Sequence, residues 1–279
     1  MKLLQDILVY TLLGAFSGIS EVLLISSSGN LVIFKTLFEK LGIVFPKTNM
    51  ILEILVSTGS LIAILFYYRK TIKRLVYSVF SYIKEPSSRD KTLPDFRYCL
   101  LLIIAAIPTL IVGLLFHNYI ELSFNNVKLV GCTLLITATF LLIIHIYGYK
   151  GKRSSRSINL WDALKIGLFQ VIALLPGISR SGITITAGML SGLSQRSARD
   201  FSFIMFIPIS IAATLFKLGN FINNAQLGDL WLPYLFAFLF SIITTYLSLH
   251  ILLKVLEKRK MNYLSIYCLI IAIVTLVIL

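Results

Sequence analysis

Residues 178–183 read Ile178-Ser-Arg-Ser-Gly-Ile183, and residues 25–30, at an offset of 153, read Ile25-Ser-Ser-Ser-Gly-Asn30. Extending both motifs outward without a gap lays Gly14–Val32 over Gly167–Ile185 and matches seven positions. Gly14 meets Gly167, Phe16 meets Phe169 and Ile19 meets Ile172. Ile25-Ser26 meets Ile178-Ser179, and Ser28-Gly29 meets Ser181-Gly182. Each motif interrupts an apolar region (7–38 and 158–193) and precedes a fresh apolar run, Asn30–Leu37 and Ile183–Leu190. A Ser/Gly break ahead of such a run predicts a helix N-terminus, because serine caps free backbone N–H groups. Pro176-Gly177 is expected to end the preceding helix. Related halves with broken helices recur in membrane folds, where opposed tips meet near the midplane and form a site. We therefore expect one integral membrane domain, residues 1–279, built of a repeat over about 1–148 and another over about 158–279.

Composition agrees. The chain has 279 residues, of which 57% are hydrophobic and 14% charged, and its mean hydropathy is +0.89. Soluble domains carry about 25% charged residues, so these residues cannot make a water-soluble surface. Disorder is excluded by the same figures. Cys99, Cys132 and Cys268 all lie in apolar runs without a CxxC pair, which argues against a disulfide framework or a zinc site. The N-terminal apolar run after Lys2 lacks a small-residue cleavage site and reads as mature sequence.

Six stretches are long and apolar enough to span a bilayer: 49–68, 98–116, 127–148, 201–217, 230–253 and 263–279. The expected class is all-α and polytopic, with about six transmembrane helices plus two re-entrant hairpins in interlocked inverted repeats. Of 26 Lys+Arg, eight fall in loop 69–97, four in 149–157, two in 194–200 and four in 254–262. Lys2, Lys35, Lys40, Lys47, Lys128 and Lys217 fall on the other side. The positive-inside rule makes the four basic loops cytoplasmic. Residues 1–48 then begin and end outside and residues 158–200 begin and end inside, so each interrupted region reads as a re-entrant hairpin, the two entering from opposite faces. The net charge of +14 thus speaks for topology and membrane-lipid contact, not for a nucleic-acid partner.

Ionisable residues at membrane depth are functional candidates, since burying a charge in hydrocarbon is costly. Arg180 lies in the second motif, Glu21 six residues before Ser27, and Glu53 in the following span. Two Ser/Gly helix N-termini facing one another would attract an anion through free N–H groups and helix dipoles. Arg180 adds a planar fork of donors suited to phosphate oxygens; the alternative is a structural tie to Glu21. Ser27 stands opposite Arg180 in the repeat, as a nucleophile or as a capping serine. No histidine falls in a hairpin. Asp162 and Lys165 are expected to pair at the membrane interface.

The stretches Gly14–Asn30 and Leu175–Thr186 resemble the two signature regions of the undecaprenyl-pyrophosphate phosphatase family, the bacitracin-resistance phosphatases. Supporting matches run through the chain, among them Leu52-Glu53-Ile54, Ile107-Pro108, Gly113–His117, Gln170, Gly188–Leu190 and Phe201–Phe203. The resemblance implies removal of the terminal phosphate of undecaprenyl pyrophosphate at the outer face of the plasma membrane. The product, undecaprenyl phosphate, carries peptidoglycan precursors for the cell wall. It also implies a divalent cation, usually Mg²⁺, with Glu21 as its ligand, and is compatible with a homodimer. Carried over by position, Glu21, Ser27 and Arg180 become the catalytic residues. Ser26, Ser28, Asn30, Ser179, Ser181, Gly182, Thr184 and Gln170 become the substrate-binding set.

Two positions depart from the family pattern. Its first glutamate falls on Ser17 and its histidine on Asn30. A lost carboxylate weakens a Mg²⁺ site, and an asparagine cannot take a proton at neutral pH. The competing expectation is therefore a catalytically depleted homologue that binds or translocates polyprenyl phosphate.

Overall fold

Long apolar segments have no way to satisfy their backbone in lipid other than by closing hydrogen bonds within a helix, and helices are what this sequence forms. The computed structural model describes residues 2–40, 50–147, 150–222, 230–258 and 260–279. In chain order the helices are α1 (Lys2–Val22), α2 (Ser27–Lys40), α3 (Met50–Tyr67), α4 (Arg69–Lys84), α5 (Arg89–Leu115) and α6 (His117–Ser123). They continue with α7 (Val127–Tyr147), α8 (Leu160–Ile172), α9 (Arg180–Leu190), α10 (Gln195–Ile222), α11 (Trp231–Glu257) and α12 (Met261–Ile278). Among the described residues there is no strand beyond a single bridge between Arg153 and Leu193. The expectations for Lys47, for residue 49 and for positions 148, 149 and 259 fall outside the described residues.

Among the described residues six helices are long and apolar enough to cross a membrane, α1, α5, α7, α10, α11 and α12, and α3 with α4 makes a seventh if that bent pair is one span. The chain is a multi-pass membrane protein. Two expectations need correction. Region 69–97 is no irregular loop, because α3 bends by 78° into α4, which then packs along the start of α5. Its charges alternate with Ile72, Leu75, Val76 and Phe80 at helical spacing. Secondly, α1 begins at Lys2 and is long enough to cross by itself, so region 7–38 is more than a short hairpin.

Both interrupted regions fold back on themselves. Phe16 of α1 meets Phe34 of α2 edge-on, with ring centroids 4.7 Å apart, and α8 packs on α9. The second region breaks earlier than Pro176-Gly177 suggested, with α8 ending at Ile172 and Ala173–Ser179 forming the turn.

Glycines let the arms approach their neighbours. Gly14 and Gly18 seat α1 against the α11 backbone at Ala237 and Ser241, while Gly167 seats α8 against Ala105 of α5. Small residues at helix contacts permit this closeness, and packing drives association in lipid. Hydroxyls reinforce the α1–α3–α11 junction, where Ser60 bonds Thr245 at 2.9 Å and Thr245 donates to the Gly18 carbonyl at 3.2 Å.

The expected Asp162–Lys165 pair gives way to another partner. Asp162 is buried, caps α8 together with Asn159, and takes a two-pronged contact from Arg153 at 2.6 and 3.2 Å. Arg153 also donates to the Ser157 and Ser191 carbonyls. The planar guanidinium thereby ties the linker before α8 to the end of α9, a job for which a point-charge lysine is poorly shaped.

Candidate active site

The first tip is Leu23–Ser26. Leu24 (φ 67°) and Ser26 (φ 64°) both adopt left-handed backbone, which costs a side-chain-bearing residue about 1–2 kcal/mol. Leu24 repays this by complete burial in the main core with Val22 and Ile25. Ser26 then caps α2, its Oγ accepting from the Gly29 amide at 3.3 Å. The second tip follows the same plan: Ser179 caps α9 by accepting from Gly182 at 3.2 Å, and Gly177 takes the left-handed position with φ 93°. The tips touch. A methyl group added at Gly29 would sit 2.6 Å from the Gly177 Cα.

Beside this contact two side chains converge on one carboxylate and a third on the backbone of the same residue. Glu21, in the last turn of α1, accepts the Ser27 hydroxyl on Oε2 and faces the Arg180 guanidinium on Oε1 at 3.4 Å. Ser181 donates to the Glu21 backbone carbonyl at 3.1 Å. Arg180 also lies over the Phe206 ring, 4.6 Å from its centroid, a contact that holds a guanidinium without neutralising it. The side chains of Glu21 and Arg180 are 15% and 31% exposed, and Ser27 and Ser28 are half-buried. The cluster is therefore open to a ligand.

The other expected residues divide. Ser26, Ser28, Ser179, Ser181 and Gly182 lie in the two tips or in the first helical turns after them, with Ser28 3.5 Å from Ser26. Asn30 is turned inward: its Nδ2 donates to the Ile25 and Ser26 carbonyls, both at 2.8 Å, and its Oδ1 accepts from Tyr267 at 3.2 Å. It clamps the tip and spends its amide there. Thr184 is buried against Ser202 and the Arg180 carbonyl. Gln170 is buried too, with Nε2 donating to Thr109 of α5 at 2.9 Å. The structure brings neither of these two side chains to Glu21. Glu53 stands in the first turn of α3.

Sequence reasoning missed Phe206 and Tyr267, which sit in apolar helices where nothing local marks them. It also missed the hydroxyls that pin the second tip: Thr133 donates to the Pro176 carbonyl, and Thr137 donates to the Gly177 carbonyl and accepts from the Ser179 amide. Their spacing of four on α7 was the available signal. Ser17, one turn before Glu21, is buried with its hydroxyl unpartnered.

This arrangement can be set beside known proteins. The family described as bacitracin resistance protein BacA matches residues 10–274. The chain belongs to that family. Among its relatives, undecaprenyl-diphosphatase 1 of Bacillus cereus is 39% identical over 277 residues, 99% of each chain. Undecaprenyl-diphosphatase 3 of Bacillus anthracis is 40% identical over 277 residues, again 99% of each. Undecaprenyl-diphosphatase 1 of Bacillus licheniformis is 40% identical over 269 residues, 96% of each. The Glu21–Ser27–Arg180 cluster lies within the matched residues.

Proposed function

We propose that this chain hydrolyses the terminal phosphate from undecaprenyl pyrophosphate, the reaction its relatives' names describe. One observation carries the reading: a single carboxylate, Glu21, engages the Ser27 hydroxyl and the Arg180 guanidinium at the point where two helix N-termini meet. The geometry suits phosphoryl transfer, which depends mainly on positioning and charge stabilisation. Arg180 and the free N–H groups at the starts of α2 and α9 bind the diphosphate oxygens. Ser27 Oγ attacks the terminal phosphorus while its proton passes to Glu21. The bond to the bridging oxygen breaks, and that proton returns to the departing undecaprenyl phosphate. Water then releases phosphate from Ser27 by the reverse proton route.

A nucleophile with an adjacent base in place favours turnover over binding alone, even with Asn30 engaged in clamping. The donors near the serine fit a divalent cation in part. Glu21, Ser27 and the unpartnered Ser17 hydroxyl are all oxygen ligands of the kind Mg²⁺ takes, commonly with one or two carboxylates plus substrate phosphate oxygens. Glu21 would hold it, and when bound the ion would offset diphosphate charge.

The halves 1–148 and 158–279 are read as inverted repeats, supported by α1 packing on α11 while α8 packs on α5. The basic segments 69–97, 149–157, 194–200 and 254–262 are read as cytoplasmic, with the lipid entering from the outer leaflet of the plasma membrane. The chemistry requires no second copy of the chain.

The test is phosphate release by the purified chain from undecaprenyl pyrophosphate with Mg²⁺. Arg180→Ala should lower it roughly 10³-fold, the scale of losing a principal charge-stabilising donor. Wild-type release no faster than that of Arg180→Ala overturns the reading.

A further inference from the structure

Helix α4 is apolar on its outward face as well as on the face it packs. Inward, Leu75 and Ile72 join the main core and Tyr82 stacks on Phe96 with centroids 4.0 Å apart, while Ser78 donates to Asp95 at 3.2 Å and the backbone carbonyl of buried Ser81 accepts from the Ser88 hydroxyl at 3.0 Å. The outward face carries Val76, Tyr77, Phe80 and Ile83, exposed by 48, 67, 59 and 62%. A helix that displays such a row after its packed face is satisfied turns it toward something other than the rest of the chain.

Charge narrows what that is. Between Arg69 and Lys84 there are five basic residues and no acidic one. Arg74 is answered by Asp95 at 3.2 Å. Arg69 and Lys73, one turn apart, are exposed and border a shallow groove of about 550 Å³ whose remaining wall includes Leu65, Ile72, Val76 and Phe80. Arg69 is steadied over the Phe66 ring at 4.4 Å and by the Phe66 carbonyl at 2.9 Å, leaving other guanidinium donors free. The groove thus pairs an apolar trough with two cations at one end, and α4 leaves the spanning direction of α3 by 78°. Basic amphipathic helices with aromatic apolar faces lie in the plane of the membrane interface.

We propose that α4 is a docking site for an anionic phospholipid, with an acyl chain along the Leu65–Phe80 groove and the phosphate between Arg69 and Lys73. The proposal rests on the membrane placement of the chain and is independent of the chemistry at Glu21. Anionic lipid in the facing leaflet would thereby fix how α4 sits, and through α4 the start of α5.

The test uses the full-length chain carrying Phe80→Trp as a reporter, with Trp161→Phe and Trp231→Phe removing the other tryptophans. It is placed in phosphatidylcholine vesicles containing brominated phosphatidylglycerol, and quenching reports which lipid lies at α4. The expected preference for phosphatidylglycerol is roughly thirtyfold at low salt, about fivefold for each of two charges. It should shrink as salt screens them and approach unity in Arg69→Gln plus Lys73→Gln. Quenching by brominated phosphatidylcholine in the double variant confirms that position 80 still faces lipid. Quenching that follows bulk lipid composition in the parent, as when a second copy of the chain covers the groove, overturns the proposal. So does a preference that survives the double variant, or one lost equally on Lys152→Gln in the loop before α8, which would mark a diffuse charge effect.

Discussion

At position 24 the first tip holds a leucine with φ 67°, and at the matching position of the second tip Gly177 stands with φ 93°. The left-handed step at this position is shared; the residue that takes it is not. The second tip takes its left-handed step on a glycine, where it costs little, and is pinned from outside by Thr133 and Thr137 of α7. The first takes two such steps on side-chain-bearing residues and is clamped from within by Asn30, itself held by Tyr267 of α12. The relaxed tip bears the guanidinium and the strained tip bears the serine. Strain concentrated where a reacting group must be presented is a recurrent feature of functional sites, and here it lies on the half that carries Ser27.

This contrast can be broken at graded cost. Glu21→Gln removes the proton acceptor of Ser27 and the counter-charge of Arg180 together. It should lower the rate of phosphate release by about 10³–10⁴-fold, measured at saturating substrate. An activity within tenfold of the parent would dissociate the carboxylate from the chemistry. Next in size is Gly177→Ala, which adds a Cβ at positive φ against Thr133 and the Val130 carbonyl. It should destabilise by about 2–5 kcal/mol, seen as a lowered midpoint in thermal unfolding in detergent.

Leu24→Gly makes the first tip resemble the second. Relief of about 1–2 kcal/mol of strain is outweighed by the loss of a buried leucine, about 2–5 kcal/mol. The net expectation is about 1–3 kcal/mol of destabilisation; a gain in stability would show that the side chain does not pay for the conformation. The smallest effect is Tyr267→Phe, which frees one acceptor of Asn30. A loss of about 1 kcal/mol should appear as a roughly fivefold fall in kcat with KM unchanged, the signature of a positioning residue. An equal change in KM and none in kcat would make Tyr267 a binding residue instead.

The hairpins, their tip-to-tip meeting and the trio of Glu21, Ser27 and Arg180 could be read from the sequence because the determining signals are local: serine and glycine ahead of apolar runs, and charges where charges are expensive. Helix α4 was hidden because a basic amphipathic segment between two spans looks like a loop when only charge is counted. Asp162 found Arg153 instead of Lys165 because the linker before α8 folds back onto the end of α9, a tertiary event without local trace. Phe206 and Tyr267 were invisible for a related reason: an aromatic in a lipid-soluble helix does not announce which of its neighbours it serves. Asn30 was legible as a departure from the family pattern, but its inward amide only emerged with the fold.

The bare contact between Gly29 and Gly177 makes the two tips one mechanical bearing. A methyl group on Gly29 could be accommodated only if Gly177 receded, so the first tip has lost the freedom to change alone at that spot. A compound that wedged itself between them would disable serine and guanidinium in a single stroke.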